Sequence, residues 1–176
     1  FDSPDRQEWQ KPEDAIAALG ELTGKTVMDI GSGTGYFSFR LLDAGANVIC
    51  ADVDERFLNF IKEKRDNLGL ADRMELRHVP YDSANLGEAE VDMVLIVDTY
   101  HHIEYRENYF AAVRQGIKPG GKLVVIDFEK RELPVGPPVR MKLDAETIIS
   151  ELRAAGFENF EVDHELLPYQ YMIFAS

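Results

Sequence analysis

At 176 residues the chain has the length of one compact domain, since domains run to ~100–200 residues, and a second full domain is excluded. Apolar residues make up 45% and charged residues 29%, which excludes disorder, collagen and fibre and supplies a sizeable core. Nineteen basic against 32 acidic residues leave a formal charge of −13, which repels polyanions and argues against nucleic-acid partners and anionic membranes.

The chain opens on Phe1 without a methionine, and its first residues, F-D-S-P-D-R-Q-E-W-Q, are polar. No apolar run approaches the ~20 residues that cross a bilayer, so a soluble chain is expected; the lone cysteine makes the reducing cytosol the expected location, and a removed leader or signal peptide is compatible with the start. Residues 12–19 read as a short helix that proline opens and Gly20 stops, with Ile16 and Leu19 on one face. Residues 1–20 are expected to form an amino-terminal lid and helix segment of the one domain. T-V-M-D-I, 26–30, is a short buried strand running into G-S-G-T-G. Residues 36–44 carry Phe37, Leu41 and Leu42 at helical spacing and end at Gly45.

A second strand spans 47–51 and holds the single cysteine, Cys50, which permits no internal disulfide and no cysteine-rich zinc site. Asp54 is placed to cap a helix whose face is Phe57, Leu58, Ile61 and Leu68. Residues 73–79 alternate as a third strand, and V-D-M-V-L-I-V, 91–97, is apolar enough to be the sheet centre. A helix over about 104–116 leads through a tight K-P-G-G turn to a strand at 122–128. Asp144 caps a helix at 145–155, closed by Gly156, and two strands near 158–163 and 169–175 finish the chain. The intervening 129–143, with Pro134, Pro137 and Pro138, is a loop long enough to suggest function.

This alternation predicts an α/β fold, a doubly wound and mostly parallel sheet with helices on both faces. Ligands of such sheets sit beyond the carboxyl ends of the strands at the switch in strand order. Asp29, Gly31, Gly33 and Gly35 stand there, directly after the first strand. Glycines in that spacing let backbone approach a ligand and leave amide groups open at a helix start, the alternative being a plain tight turn. The dinucleotide fingerprint G-x-G-x-x-G is not met, because its last position is Tyr36 and the third glycine comes one residue early. Asp52, at the end of the second strand, suits the two hydroxyls of a ribose, whether of a nicotinamide nucleotide or of another adenosine.

In four segments, V-M-D-I-G-S-G-T-G-Y-F, V-I-C-A-D-V-D, V-D-M-V-L-I-V-D-T-Y-H-H-I and I-K-P-G-G-K-L-V-V-I-D-F, the chain resembles the class I S-adenosylmethionine-dependent methyltransferases in order and spacing. The resemblance runs from Val27 to nearly the end. It implies a seven-stranded sheet of order 3-2-1-4-5-7-6 with the last strand antiparallel. It further implies S-adenosylmethionine as cofactor and S-adenosylhomocysteine as product. The glycine loop then holds the methionine part, Asp52 the ribose, and the loop with Asp82 and Ser83 the adenine. Many relatives carry their acid directly after the third strand, whereas this chain reads V-P-Y-D-S, so a turn role for Asp82 stands beside the adenine role.

The cofactor's sulfonium is a cation, which suits a cleft bearing Asp29, Asp52 and Asp98. An in-line displacement at carbon asks the protein to position the acceptor and exclude water, with a general base only where the acceptor keeps a proton. His102 is the first candidate base and His101 the second, against the reading that they cap or pack the next helix. The two point in different directions, so no shared metal is expected. Trp9, Tyr36 and Tyr100 are candidate walls of an acceptor pocket, with Tyr169 and Tyr171 as further aromatic candidates, and 6–11 is a candidate lid. Lys130, Arg131, Arg140 and Lys142 concentrate positive charge on the long loop, either to attract an anionic acceptor or as a solvated face.

The expected activity is methyl transfer to a small-molecule acceptor. No nucleic-acid-binding domain and no N-P-P-Y signature of amino methylation is present, D-T-Y-H-H standing in that place. A nicotinamide-dependent oxidoreductase is the first alternative, though Tyr105 followed by Arg106 does not supply its tyrosine–lysine pair. A domain that binds cofactor or a partner protein without turnover is the second.

Overall fold

The computed structural model describes residues 3–176; Phe1 and Asp2, at the head of the expected amino-terminal segment, lie outside the described residues. Helix α1, Pro4–Gln10, is followed after one residue by α2, Pro12–Ala18. Lys11 sits in the left-handed region at φ 47° and turns the chain sharply between them. Strand β1, Thr26–Ile30, helix α3, Tyr36–Asp43, and strand β2, Asn47–Asp52, come next. Helix α4, Glu55–Asn67, is capped as expected, with the Arg56 amide donating to Asp54 Oδ1 at 2.9 Å. Strands β3, Met74–His78, and β4, Val91–Val97, lead to a 3-10 turn at Tyr100–His102 and helix α5, Arg106–Gly116. Strand β5, Ile117–Phe128, helix α6, Ala145–Ala154, and strands β6, Phe160–Asp163, and β7, Gln170–Ala175, complete the chain.

The seven strands lie in the order β3-β2-β1-β4-β5-β7-β6. The first five run parallel, and β7 inserts antiparallel between β5 and β6. Both the α/β class and the strand order are those the sequence led us to expect. Alternation along β4 divides the core: Val94 and Ile96 face α5 and α6 through Phe110, Val113, Ile148 and Leu152. Met93, Leu95 and Val97 belong to the opposite layer, where Ile16, Leu41, Leu58 and Ile61 cover the sheet. Burial of both faces explains why the central strands read as unbroken apolar runs.

Three expectations need amendment. Helix α1 was not read as a helix, and the K-P-G-G turn lies within strand β5. Ile117 pairs with Val91 and Lys122 with Met93, so β5 advances five residues while β4 advances two, and the excess bulges outward. A Cβ on Gly121 would stand 2.3 Å from the Asp92 carbonyl oxygen, which is why the bulge needs glycine there. The long loop is tied across itself, because Lys142 is buried and its Nζ donates to the Arg131 carbonyl at 2.7 Å. Lys142 therefore does not contribute to a surface charge cluster. No helix among the described residues is long and apolar enough to cross a membrane.

Candidate active site

Strand order reverses between β1 and β4, and their carboxyl ends open a cavity of about 400 Å³. Such a volume is within the range of small-ligand pockets, ~300–1,000 Å³. It is lined by the glycine loop from Gly31 to Thr34, by Val97, Asp98 and Thr99 at the end of β4, and by Trp9, Phe128 and Val135.

The glycine loop is held by backbone and by one carboxylate. The Gly31 and Ser32 amides donate to the Ala51 carbonyl at 2.8 and 3.1 Å, and the Gly33 amide donates to Asp52 Oδ2 at 2.9 Å. Asp52 Oδ1 accepts from the Asp54 amide at 2.9 Å, so this carboxylate ties the end of β2 to the loop. Asp52 does not line the cavity itself. Ser32 Oγ is buried with no hydrogen-bond partner among the described residues. A buried hydroxyl left unsatisfied costs about 1–3 kcal/mol, and a polar ligand in this loop would supply the missing partner.

Asp29 is 2% exposed on β1 and accepts from Ser38 Oγ at 2.7 Å. Burial raises its pKa to about 7, the charge of Asp52 adding to the effect while Ser38 and Arg6 oppose it. Asp98 adopts φ 57°, which turns it under α1. Its carboxylate accepts from Gln10 Nε2 at 3.2 Å and from Gln170 Nε2, and Arg6 stands 3.8 Å away. Burial raises the Asp98 pKa to about 6, assisted by the charge of Asp127.

In an unfolded chain an aspartate loses its proton near pH 4, whereas folded Asp29 keeps its own to about 7. The folded state therefore binds more protons across that window, and stability present below it is lost as pH rises through about 7. The thermal midpoint of the unliganded protein should fall over this range, and Asp29→Asn should flatten the fall. Parallel pH-melting curves for the two proteins test this; identical slopes would contradict it.

The sequence brought His101 and His102 to the carboxyl end of β4, and the structure separates their environments. His101 Nδ1 donates to Asp127 Oδ2 at 2.9 Å, with both side chains 2% exposed. Burial works to lower the His101 pKa, but the hydrogen bond and charge of Asp127, helped by Asp98, outweigh it and the net shift is upward. His102 is exposed, and partial burial and the adjacent His101 lower its pKa. Neither ring lines the cavity, although Asp98 and Thr99 just before them do.

Trp9 and Tyr36 do line the cavity. Trp9 packs on Phe128 with ring centroids 5.6 Å apart, and Tyr36 carries the guanidinium groups of Arg6 and Arg40 at 4.0 and 4.1 Å from its centroid. Tyr100 needs correction. Its ring is fully buried, stacks on Phe110 with centroids 4.8 Å apart, and its hydroxyl donates to Glu151 Oε1 at 3.2 Å. The left-handed Asp98 and the 3-10 turn rotate it into the α5–α6 layer, away from any acceptor. Asp82 is exposed, Ser83 Oγ accepts from the Asn85 amide at 3.0 Å in a local turn, and neither reaches the cavity.

Four further residues escaped the sequence reading: Arg6, Gln10, Asp127 and Gln170. Both glutamines are fully buried, and Gln10 Nε2 donates to Gln170 Oε1 at 2.8 Å. A buried glutamine on a polar segment is the one sequence signal available, and it becomes legible only once α1 is docked.

Residues 28–123, more than half the chain, match the family model described as a methyltransferase domain. Over 133 residues the chain is 27% identical to a ubiquinone/menaquinone biosynthesis C-methyltransferase UbiE of Citrobacter koseri, covering 74% of this chain and 52% of the relative. It thus spans about half the length of the curated relatives it matches. A solved SAM-dependent methyltransferase from Aquifex aeolicus superposes with a TM-score of 0.90 at 27% identity, over 99% of this chain and 93% of that one. An S-adenosylmethionine-dependent methyltransferase from Mesorhizobium loti shares the fold, with a TM-score of 0.72 at 19% identity over 92% and 94% of the two chains.

Proposed function

The chain belongs to the methyltransferase-domain family, and from that premise we propose that it transfers a methyl group from S-adenosylmethionine to a small-molecule acceptor. The observation that carries the reading is the glycine loop at the sheet's switch point, with its buried and unsatisfied Ser32 hydroxyl, facing a cavity that holds Asp29 and Asp98. These residues fit the cofactor: two carboxylates for its cationic groups and open backbone for its close approach. The bound cofactor supplies an electrophilic methyl group on a sulfonium.

In this reading Asp52 takes the ribose hydroxyls, with Gly31, Gly33 and Gly35 holding the methionine part. Asp82 and Ser83, which do not reach the cavity, would border an adenine that extends past Asp52. Trp9 and Phe128 close the cavity against water at the acceptor's side. His102, which lies outside the cavity lining and whose pKa is lowered, is assigned as the base for an acceptor that retains a proton and reaches past Asp98 and Thr99. His101, fixed by Asp127, is the second candidate.

Incubation with methyl-labelled S-adenosylmethionine and a deproteinised small-molecule extract should place label in a small product. Where that product is methylated at a protonated oxygen or nitrogen, His102→Gln should slow turnover by ~100-fold, the lower range of general base catalysis. Label remaining wholly in the donor, across extracts, would favour the domain that binds without turnover.

A further inference from the structure

Two of the chain's four histidines, His101 and His102, stand side by side with ring centroids 4.1 Å apart and planes 46° from parallel. One ring is sealed and the other faces solvent. His101 Nδ1 donates to Asp127 Oδ2 at 2.9 Å, and both side chains are 2% exposed. Asp127 Oδ1 accepts the Phe128 amide at 2.8 Å, so the carboxylate is fixed from its own strand. His102 is exposed. Charged groups reach His101 from the elements around it: Asp127 from β5, Asp98 from the end of β4, and Arg106 from the head of α5. Arg106 Nη2 in turn donates to Glu151 Oε2 on α6 at 2.8 Å, and Asp98 accepts from Gln10 and Gln170, with Arg6 3.8 Å away. Tyr171 of β7 stands opposite Asp127 in the sheet, and its hydroxyl donates to the Leu143 carbonyl at 2.6 Å.

Burial by itself favours a neutral His101 ring. The hydrogen bond and charge of Asp127, with Asp98 adding and Arg106 opposing, reverse that preference and hold the proton. A buried cation repels a second proton from the ring stacked on it. Partial burial and the charge of His101 accordingly lower the proton affinity of His102, with the Asp127 charge opposing. We infer that Asp127 is a positioning residue of the site: through its buried contact with His101 it holds that ring against His102 and leaves His102 as the ring of the pair that is open to a proton. The inference rests on the reading of His102 as the base for an acceptor that retains a proton, and it makes His101 the support of His102. His102 then takes the acceptor's proton on a ring nitrogen and, repelled by the imidazolium beside it, passes that proton on to water.

The test is a pH titration of the imidazole ring signals by NMR on the whole chain, with neither donor nor acceptor present. His78→Gln and His164→Gln identify the other two of the four signals. Asp127→Asn keeps an oxygen for the Phe128 amide and offers an N–H to His101, so it changes charge and not shape. In this variant the His101 midpoint should fall and the His102 midpoint should rise, its proton affinity growing roughly 3- to 10-fold, as for removing one like charge about 4 Å away near water. His101→Gln, which keeps a donor for Asp127 without a charge, should also raise the His102 midpoint. Adding Asp127→Asn to His101→Gln should then lower it, because only the direct attraction of the carboxylate is left to remove. A packing role for Asp127 does not produce that change of sign.

A His102 midpoint that Asp127→Asn leaves in place or lowers would overturn the inference, since the carboxylate would then act on His102 directly or not at all. A His101 midpoint that the same variant leaves in place would overturn it too, because the link between the two residues would be missing. Once a methylated product is in hand, the acid limb of turnover against pH should move up in Asp127→Asn by as much as the His102 midpoint does. A limb that stays while the ring moves would detach the pair from the reaction and so contradict the positioning role. If no acceptor is methylated, the reading of His102 as a base fails and takes the pair's part in catalysis with it. That failure is distinct from a failure of the coupling, because the ring midpoints are read without any ligand.

Discussion

Asp52→Ala should lower affinity for S-adenosylhomocysteine by ~100-fold or more, a larger loss than a contact to ribose alone would produce. The Asp52 carboxylate accepts the Gly33 amide on one oxygen and the Asp54 amide on the other, each at 2.9 Å, and the residue is only 7% exposed. Hydrogen bonds to a charged acceptor contribute about 1.5–3 kcal/mol each, and their removal leaves both donors short of a partner. The variant therefore loses the proposed ribose acceptor and the tie that shapes the glycine loop at once. Asp52→Asn keeps one acceptor oxygen and should fall between the two. Calorimetry gives the affinities and a melting curve gives the loop's share. An Asp52→Ala protein that binds as tightly as wild type would remove Asp52 from the donor site.

Gly31→Ala should be the most damaging single methyl group in the site. Gly31 has φ 74°, a conformation costing an L side chain roughly 1–3 kcal/mol. The added Cβ would also lie 2.4 Å from Thr99 Oγ1, 2.8 Å from its Cγ2 and 3.0 Å from its Cβ. Thr99 cannot simply swing away, because Oγ1 donates to the Val97 carbonyl at 2.8 Å. Adding the usual 1–3 kcal/mol of overpacking gives a total of about 2–6 kcal/mol, or a fall of roughly 4–24 °C in the melting midpoint for a domain of this size. Donor binding should be lost with it, since the loop must move. Thr99→Ala in the same chain removes two of the three contacts and should recover part of the stability, but not the part due to φ. A Gly31→Ala protein melting within a degree of wild type would show that the loop is not held in this conformation.

The central sheet was legible because both its faces are covered, so V-D-M-V-L-I-V and T-V-M-D-I stand out as apolar runs between glycines. The glycine loop that lines the cavity was legible for a similar reason, since three spaced glycines after a buried strand are a local pattern. Helix α1 was not, because P-D-R-Q-E-W-Q has one large apolar residue and no periodic face. Its burial rests on Trp9 against Phe128 and on polar contacts from Gln10 to residues far along the chain. Asp127 is likewise silent in sequence as the partner of His101, 26 positions away, until pairing of β4 with β5 sets them side by side. Tyr100 shows the opposite failure. Its place after β4 suggested the cavity, but one left-handed residue two positions earlier turned the ring into the core.

The most direct test of the methyl-donor reading is calorimetric titration of the unmodified protein with S-adenosylhomocysteine and, separately, with NADH. The geometry of the glycine loop and the charges of the cavity predict micromolar binding of the first and none of the second. Binding of NADH alone would contradict the account and return the cavity to the oxidoreductase alternative. Binding of neither would contradict it as well, leaving the fold without its donor.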